Sequence, residues 1–237
     1  MKLFIFAIAM CCAASCSTAG AAPTPSAGSN DAPMDRFGHD MLVRFHMHEN
    51  FSLVRAIERL LLRGKVAEAR DLARAIAIAP DEPGMSTWSK QTTRVRERAA
   101  ELARATTLDE AFVAESKLAV ECAACHLATG VTPEFASPAQ PPPDQATVAA
   151  RMARHLWAAD RLWEGMIGMA DDSWRAGLDI LAQPPLPAVE MNEVRGRLAR
   201  QLQRLAETAR KSTSTDKDRA ATYAQMLTQC ASCHTSP

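Results

Sequence analysis

Cys122-Ala123-Ala124-Cys125-His126 and Cys230-Ala231-Ser232-Cys233-His234 are two copies of one pattern, C-x-x-C-H. This spacing is typical of covalent haem attachment. The two thiols lie one helical turn apart and bond one porphyrin as thioethers, and the histidine that follows binds the iron from one face. We therefore predict two c-type haems, attached through Cys122, Cys125, Cys230 and Cys233, with His126 and His234 as the proximal iron ligands.

Two other uses of the same four cysteines stay open at the level of the sequence. One zinc ion is bound tetrahedrally by four thiolates in many structural sites, and each pair is also able to form a disulfide. Zinc explains the thiols but not a histidine after each pair, and disulfides explain neither histidine. The complete pattern, repeated at the ends of two similar helical segments, favours haem.

The N-terminal residues predict export. Residues 1–22 read as a secretory signal peptide, with Met1-Lys2 followed by an apolar run and then small residues. Ala13-Ala14-Ser15-Cys16 is similar to a bacterial lipobox, which leaves a lipidated Cys16, and the alternative is cleavage after Ala21 or Ala22. We expect a periplasmic bacterial protein that is either soluble or anchored to the outer membrane through this lipid alone.

The composition favours helices and argues against nucleic acid as a partner. Lys plus Arg and Asp plus Glu number 27 each, so the formal net charge is +0 and no global field attracts a polyanion. Glycines number 10 in 237 residues, and Ala, Leu and Arg are plentiful. No second apolar segment is long enough to cross a membrane.

The chain divides into two similar halves. The Ala/Pro/Ser/Gly-rich stretch 23–35 reads as a flexible tether, and the proline-rich stretch 129–145 reads as a linker. Each half, 36–128 and 146–237, contains four helical segments, and the two motifs lie 108 residues apart. We predict an all-α fold of two tandem antiparallel four-helix bundles, each with a C-x-x-C-H haem site at the end of its fourth helix.

Glycine and proline mark several helix ends, such as Gly64 and Pro80. The predicted helices run over about 40–63, 66–79, 87–105 and from 108 to the first motif, then over about 146–170, 173–182, 188–211 and from 216 to the second motif.

The remaining histidines are candidates for the sixth, distal iron ligand. On a helical wheel His46 and His155 fall on the apolar faces of the opening helices of the two halves. A shift of 109 residues superposes these faces and pairs the two histidines, whereas pairing His48 with His155 sets apolar residues opposite charged ones. We predict His46 and His155 as distal ligands, with His48 as the alternative in the first half. The competing interpretation is that they are ordinary histidines of the core.

The other face of the first helix is basic. Arg44, Arg55, Arg59 and Arg63 share it. We expect a solvated face, which is also able to dock an acidic redox partner.

A helical half that ends in C-x-x-C-H resembles the cytochrome c′ family, in two tandem copies at about Arg36–Leu127 and Ala146–Pro237. Only the C-x-x-C-H residues match specifically. The resemblance implies four-helix bundles, haem near the end of the last helix, and pairing of haem domains, either within one chain or in a homodimer. Members of that family usually have an open iron in an apolar pocket, whereas a histidine is predicted there in each half of this chain.

Electron transfer with redox partner proteins is the function that two bis-histidine haems predict, because that ligation leaves no open iron position for chemistry. The alternative is binding or sensing of small gases, such as nitric oxide or carbon monoxide, at five-coordinate iron. A third hypothesis is a dihaem peroxidase-like enzyme, although no acid/base constellation is evident. The chain is therefore interpreted as an electron carrier rather than an enzyme.

Overall fold

The structure is a computed structural model that describes residues 36–80, 85–135, 140–184, 192–212 and 215–236. These residues form eight α-helices, with one short 3₁₀ turn (Ser86–Trp88) and no β-strand among them. The all-α prediction is confirmed. The predicted signal peptide, the predicted lipobox at Cys16 and the predicted tether 23–35 lie outside the described residues. The helices are α1 (Arg36–Leu61), α2 (Val66–Ala77), α3 (Ser89–Arg104), α4 (Leu108–Thr129), α5 (Val148–Ile167), α6 (Asp171–Leu181), α7 (Glu193–Lys211) and α8 (Asp216–Thr235).

The two motif-bearing helices begin in the same way. Thr107 Oγ1 accepts a hydrogen bond from the backbone N–H of Glu110 at 3.2 Å, and the Glu110 carboxylate accepts one from the backbone N–H of Thr107. Thr215 and Asp218 form the same reciprocal capping box at the start of α8. Such a box satisfies two backbone donors that a helix start otherwise leaves unpaired. The two boxes lie 108 residues apart, which is also the interval between the motifs.

Most helix boundaries agree with the predicted segments, and α6 shows the clearest difference. It begins at Asp171, where a turn was predicted. Acidic side chains in the first turn interact favourably with the positive end of the helix dipole, so Asp171 and Asp172 continue the helix rather than interrupt it. Asn192 caps α7 by accepting a bond from the Arg195 N–H at 2.8 Å, and the predicted earlier start of that helix lies outside the described residues.

Neighbouring helices pack against each other within each half, and α4 packs along α8 between the halves. At the end of α5, the carbonyl of Ile167 lies beside His126 of α4, while the Gly165 carbonyl accepts from Arg219 Nη1 of α8 at 3.2 Å. The end of α4 and the start of α8 therefore meet, and these two helices run in opposite directions. Residues 35–237 form one compact unit.

The proline-rich segment between the halves contacts the helices at both of its ends. The ring of Phe135 lies with its centroid 6.1 Å from that of Phe51 on α1. Arg154 Nη1 on α5 donates to the carbonyl of Pro142 at 2.6 Å. The division into a bundle at 36–128, a linker at 129–145 and a bundle at 146–237 stays a prediction.

The prediction that the basic face of α1 is solvated is wrong for Arg55, which is only 9% exposed, although Arg44, Arg59 and Arg63 are exposed. Arg55 Nη1 donates to Glu58 Oε2 at 2.6 Å, and Arg55 Nη2 pairs with Asp160 of α5. A helical wheel orders the faces of one helix and does not show which other helices cover them. The second half covers this flank of α1 and removes Arg55 from water.

None of the described helices combines the length and the apolar character that a membrane crossing needs.

Candidate functional site

The first motif lies in the last two turns of α4. Thr129 Oγ1 donates to the carbonyls of Cys125 and His126 at 3.0 and 3.1 Å. The helix then stops at Gly130, which has φ 68°, a conformation that favours glycine. These local bonds fix the backbone that carries the second thiol and the histidine of the motif.

The side chains of the first motif are partly buried. Burial raises the pKa of the Cys122 thiol to about 12 and also raises that of Cys125, so both thiols are held in the neutral form. Burial lowers the pKa of His126, and the nearby carbonyl of Ile167 opposes this shift. The Nδ1 atom of His126 is buried and has no hydrogen-bond partner among the described residues. A neutral imidazole with an unused ring nitrogen is the form that binds a metal.

The second motif is built in the same way on α8. Thr235 Oγ1 donates to the carbonyl of Ala231 at 2.8 Å, and Arg195 Nη2 of α7 donates to the carbonyl of Ser236 at 2.9 Å. Burial raises the pKa of the Cys230 thiol to about 12. His234 is exposed, in contrast to the half-buried His126.

His155 lies near the second motif, as a distal ligand of that site requires. Its pKa is lowered to about 4, first by burial and then by the positive charges of Arg151, His234 and Arg154. Because His234 contributes to this shift, the two histidines lie within electrostatic reach of each other across α5 and α8. The lowered pKa keeps His155 neutral near pH 7, with a lone pair available to iron.

His46 is half-buried on α1, where the wheel predicted it, and its ring is engaged. Asn50 Nδ2 donates to His46 Nε2 at 2.8 Å, so the lone pair of that nitrogen is already in use. His48 is exposed, and its contribution to the described hydrogen bonds is its backbone carbonyl, which accepts from Ser52 Oγ at 2.8 Å. The pairing of His46 with His126 stays a prediction.

The two motifs lie at opposite ends of α5. His126 is beside Ile167 and His234 is near His155, and these α5 residues are twelve positions apart. At 1.5 Å per residue this separates the two sites by about 18 Å along the helix. The zinc alternative therefore does not fit, because the two thiol pairs do not meet. No group of three or more His, Cys, Asp or Glu side chains gathers as a metal site anywhere in the described ranges.

Apolar surface remains exposed around both motifs. Among the described residues ten large hydrophobic side chains are exposed, and seven of them lie in the first half of α1, α5 or α7, or at or just after the end of α4. They are Met41, Phe45, Leu127, Val131, Val148, Leu156 and Val194. Leu156 is 52% exposed although it lies with His155 on the apolar face of the α5 helical wheel. Leu127 follows His126 directly and Leu156 follows His155, so exposed apolar side chains lie beside the first motif and beside the candidate distal ligand of the second.

Sequence reasoning missed a buried polar network between the halves. The Tyr223 hydroxyl of α8 donates to Glu58 Oε2 of α1 at 2.8 Å. Trp163 of α5 stacks at 5.9 Å from the Tyr223 ring, and the Arg55 guanidinium lies 5.9 Å from the Trp163 ring centroid. Glu115 of α4 is fully buried in the same region, and neither of its carboxyl oxygens has a hydrogen-bond partner among the described residues.

A signal for this network was present in the sequence. Glu58 lies four residues after Val54 and three before Leu61, so it falls within the apolar stripe of α1. Glu115 lies between Phe112 and Leu118 of α4 in the same way.

Comparisons of the chain with protein-family models, curated proteins and solved structures gave no match.

Proposed function

We propose that this protein is an exported dihaem c-type cytochrome that carries electrons between redox partner proteins in the bacterial periplasm. The observation that carries the proposal is the repeated arrangement of Cys, Cys and His at the ends of α4 and α8, with His155 close to His234. The resemblance to tandem cytochrome c′-like bundles agrees with the eight-helix architecture.

Two cysteines and one histidine of each motif would hold each haem. Cys122 and Cys125, or Cys230 and Cys233, attach the porphyrin, and His126 or His234 binds the iron from the proximal side. When bound, a haem supplies the reversible one-electron chemistry of its iron. The apolar side chains near each motif would exclude water from a bound haem, and the backbone carbonyl of Ile167 would orient the His126 imidazole.

At the second site, His155 is the proposed sixth ligand. Because burial keeps its imidazole neutral, it binds iron without first losing a proton. Bis-histidine ligation closes the iron to substrates and leaves electron transfer as its chemistry. The separation of about 18 Å along α5 makes the two sites separate points of electron entry and exit at opposite ends of the molecule.

Gas binding at the first site is the second candidate, and one contact favours it. The hydrogen bond from Asn50 Nδ2 to His46 Nε2 occupies the lone pair that the sixth ligand of the first iron would use. If this bond persists in the haem-loaded protein, the first iron has an open position for nitric oxide or carbon monoxide.

Absorption spectra of the oxidised and reduced protein, with and without carbon monoxide, test both candidates. Low-spin spectra that carbon monoxide does not change support electron transfer at both sites. If carbon monoxide changes about half of the haem absorbance, gas binding is assigned to one of the two sites. High-spin spectra with carbon monoxide bound at both haems would overturn the bis-histidine proposal.

A further inference from the structure

The second motif is surrounded by arginine side chains from two helices. Arg195 of α7 donates from Nη2 to the carbonyl of Ser236 at 2.9 Å, two residues after His234, and its charge acts on Cys233. Arg151 and Arg154 of α5 lie four residues and one residue before His155, and their charges act on that histidine.

These arginines have little compensating negative charge among the described residues. Arg151 Nη2 and Arg154 Nε approach the same oxygen, Asp144 Oδ1, at 3.5 and 3.9 Å. Their closer contacts are to neutral acceptors, because Gln183 Oε1 accepts from Arg154 Nη2 at 3.0 Å and from Arg151 Nη1 at 3.4 Å.

Other negative charge near the second motif is already paired. The Glu58 carboxylate acts on Cys230, but it forms an ion pair with Arg55 at 2.6 Å. Among the described residues, Arg151 and Arg154 therefore share one exposed carboxylate, that of Asp144, and Arg195 donates to a neutral carbonyl.

The first motif has a different charge environment. At the 109-residue shift, the α1 positions that correspond to Arg151 and Arg154 are Leu42 and Phe45, both apolar. The charged side chain that acts on the first motif is Glu121, which neighbours Cys122. Its carboxylate approaches Arg98 Nε at 3.4 Å and Arg94 Nη1 at 4.0 Å, and Arg98 also pairs with Glu101 at 2.5 Å.

We infer that Arg151, Arg154 and Arg195 give the second haem the higher reduction potential of the two. This inference rests on the proposed function, because it requires a haem at each motif. A haem brings the same two propionate carboxylates to either site, so the propionates do not distinguish the sites, whereas the charges of the protein do. Fixed positive charge favours the ferrous over the ferric iron, since the ferrous centre carries one positive charge fewer.

The redox step is the transfer of one electron from a redox partner to ferric iron, which becomes ferrous without forming or breaking a bond. An electron shared between the two sites therefore resides at the second one. Electrons that enter beside α4 are driven toward the end of α8.

A potentiometric titration of the full haem-loaded chain, followed by absorbance, tests this inference. The expected result for the unmodified protein is two one-electron steps. Arg195→Gln and Arg151→Gln should each lower the midpoint potential of the higher step. Neither should change the midpoint potential of the lower step. The equilibrium constant for reduction should fall about tenfold per charge, which is 59 mV for one electron.

Two control variants test whether the shift in potential depends on the charge of the side chain and on its position. Arg151→Lys keeps the charge and should restore the potential. Arg210→Gln removes a charge that pairs with Asp179 at 2.8 Å at the other end of α7, and it should move neither step. Arg195 is half-exposed, so its replacement provides a variant that folds if Arg151→Gln does not.

Four results would overturn the inference. If the arginine variants move the lower step or neither step, or if Arg151→Lys shifts the potential as Arg151→Gln does, the charges do not order the two potentials. The proposal of two haems would then still stand. A chain whose mass shows no covalently bound haem overturns the inference and the proposed function together, so the mass is measured first.

Discussion

The Tyr223 hydroxyl donates a hydrogen bond to Glu58 Oε2 at 2.8 Å and so joins the last helix of the second half to the first helix of the first half. Both side chains are fully buried, and the bond spans 165 residues of sequence. The same carboxylate oxygen accepts from Arg55 Nη1, whose guanidinium also reaches Asp160. This network holds the two halves together at a point between the two motifs.

Tyr223→Phe removes this bond while keeping the ring against Trp163. Hydrogen bonds to charged groups contribute about 1.5–3 kcal/mol, so the free energy of unfolding should fall by about that amount. Urea denaturation measures the change. The matched control is Tyr223→Phe in a Glu58→Gln background, where the loss should be much smaller because the acceptor is no longer charged. Equal losses in both backgrounds would contradict the account.

Glu115 makes the stability of the protein depend on pH. Burial, and then the negative charge of Glu58, raise the pKa of Glu115 well above its ordinary value of 4.5 in the folded state, while Arg55 opposes this. The folded state therefore favours the protonated carboxyl. The stability that the protonated Glu115 carboxyl contributes is fully present below pH 4.5. It is lost as the pH rises through the raised pKa of Glu115.

Glu115→Gln should make the free energy of unfolding depend less on pH above pH 4.5. One group contributes a slope of at most about 1.4 kcal/mol per pH unit. Unfolding free energies of both proteins, measured from pH 5 upward, should therefore diverge in favour of the variant as the pH rises. Parallel curves over that whole range would show that Glu115 does not titrate as its burial requires.

Two glycines give opposite expectations for the same substitution. A Cβ at Gly165 on α5 would lie 2.7 Å from the backbone nitrogen of Trp174, so α5 and α6 approach too closely there for any side chain. A Cβ at Gly196 on α7 meets only the flexible end of Arg200 at 3.4 Å. Gly165→Ala should lower stability by about 1–3 kcal/mol, and Gly196→Ala should raise it by about 0.5–1 kcal/mol. Shifts of the melting temperature in the same direction would be inconsistent with this packing.

The helices were predictable because their signals are local. Thr107, Asn192 and Thr215 cap helix starts within four residues, and Gly130 ends α4 by its own conformation. The half-buried position of His155 on α5 also follows from local periodicity. The buried state of Arg55 was not, because it depends on contacts between halves that are more than one hundred residues apart. The exposure of Leu156 differs from the wheel for a related reason, since the wheel orders the faces of a helix without showing what covers them.

Replacing His155 tests its role as a ligand. In the reduced, haem-loaded protein, His155→Ala should open one iron to carbon monoxide and change about half of the haem absorbance, because the neutral imidazole near His234 is removed. The matched control is His48→Ala, which removes an exposed histidine of α1 and should leave the spectrum as it was. A spectrum unaffected by His155→Ala would show that another group, or none, is the sixth ligand of the second haem.

The central claim is that each C-x-x-C-H motif carries one covalent haem. The most direct measurement is the intact mass of the protein produced in cells that attach c-type haems, compared with a Cys122→Ala/Cys125→Ala variant and a Cys230→Ala/Cys233→Ala variant. We expect two haem masses on the unmodified chain and one on each variant. A processed chain with the mass of the bare polypeptide, its four thiols free or paired as disulfides, would contradict it.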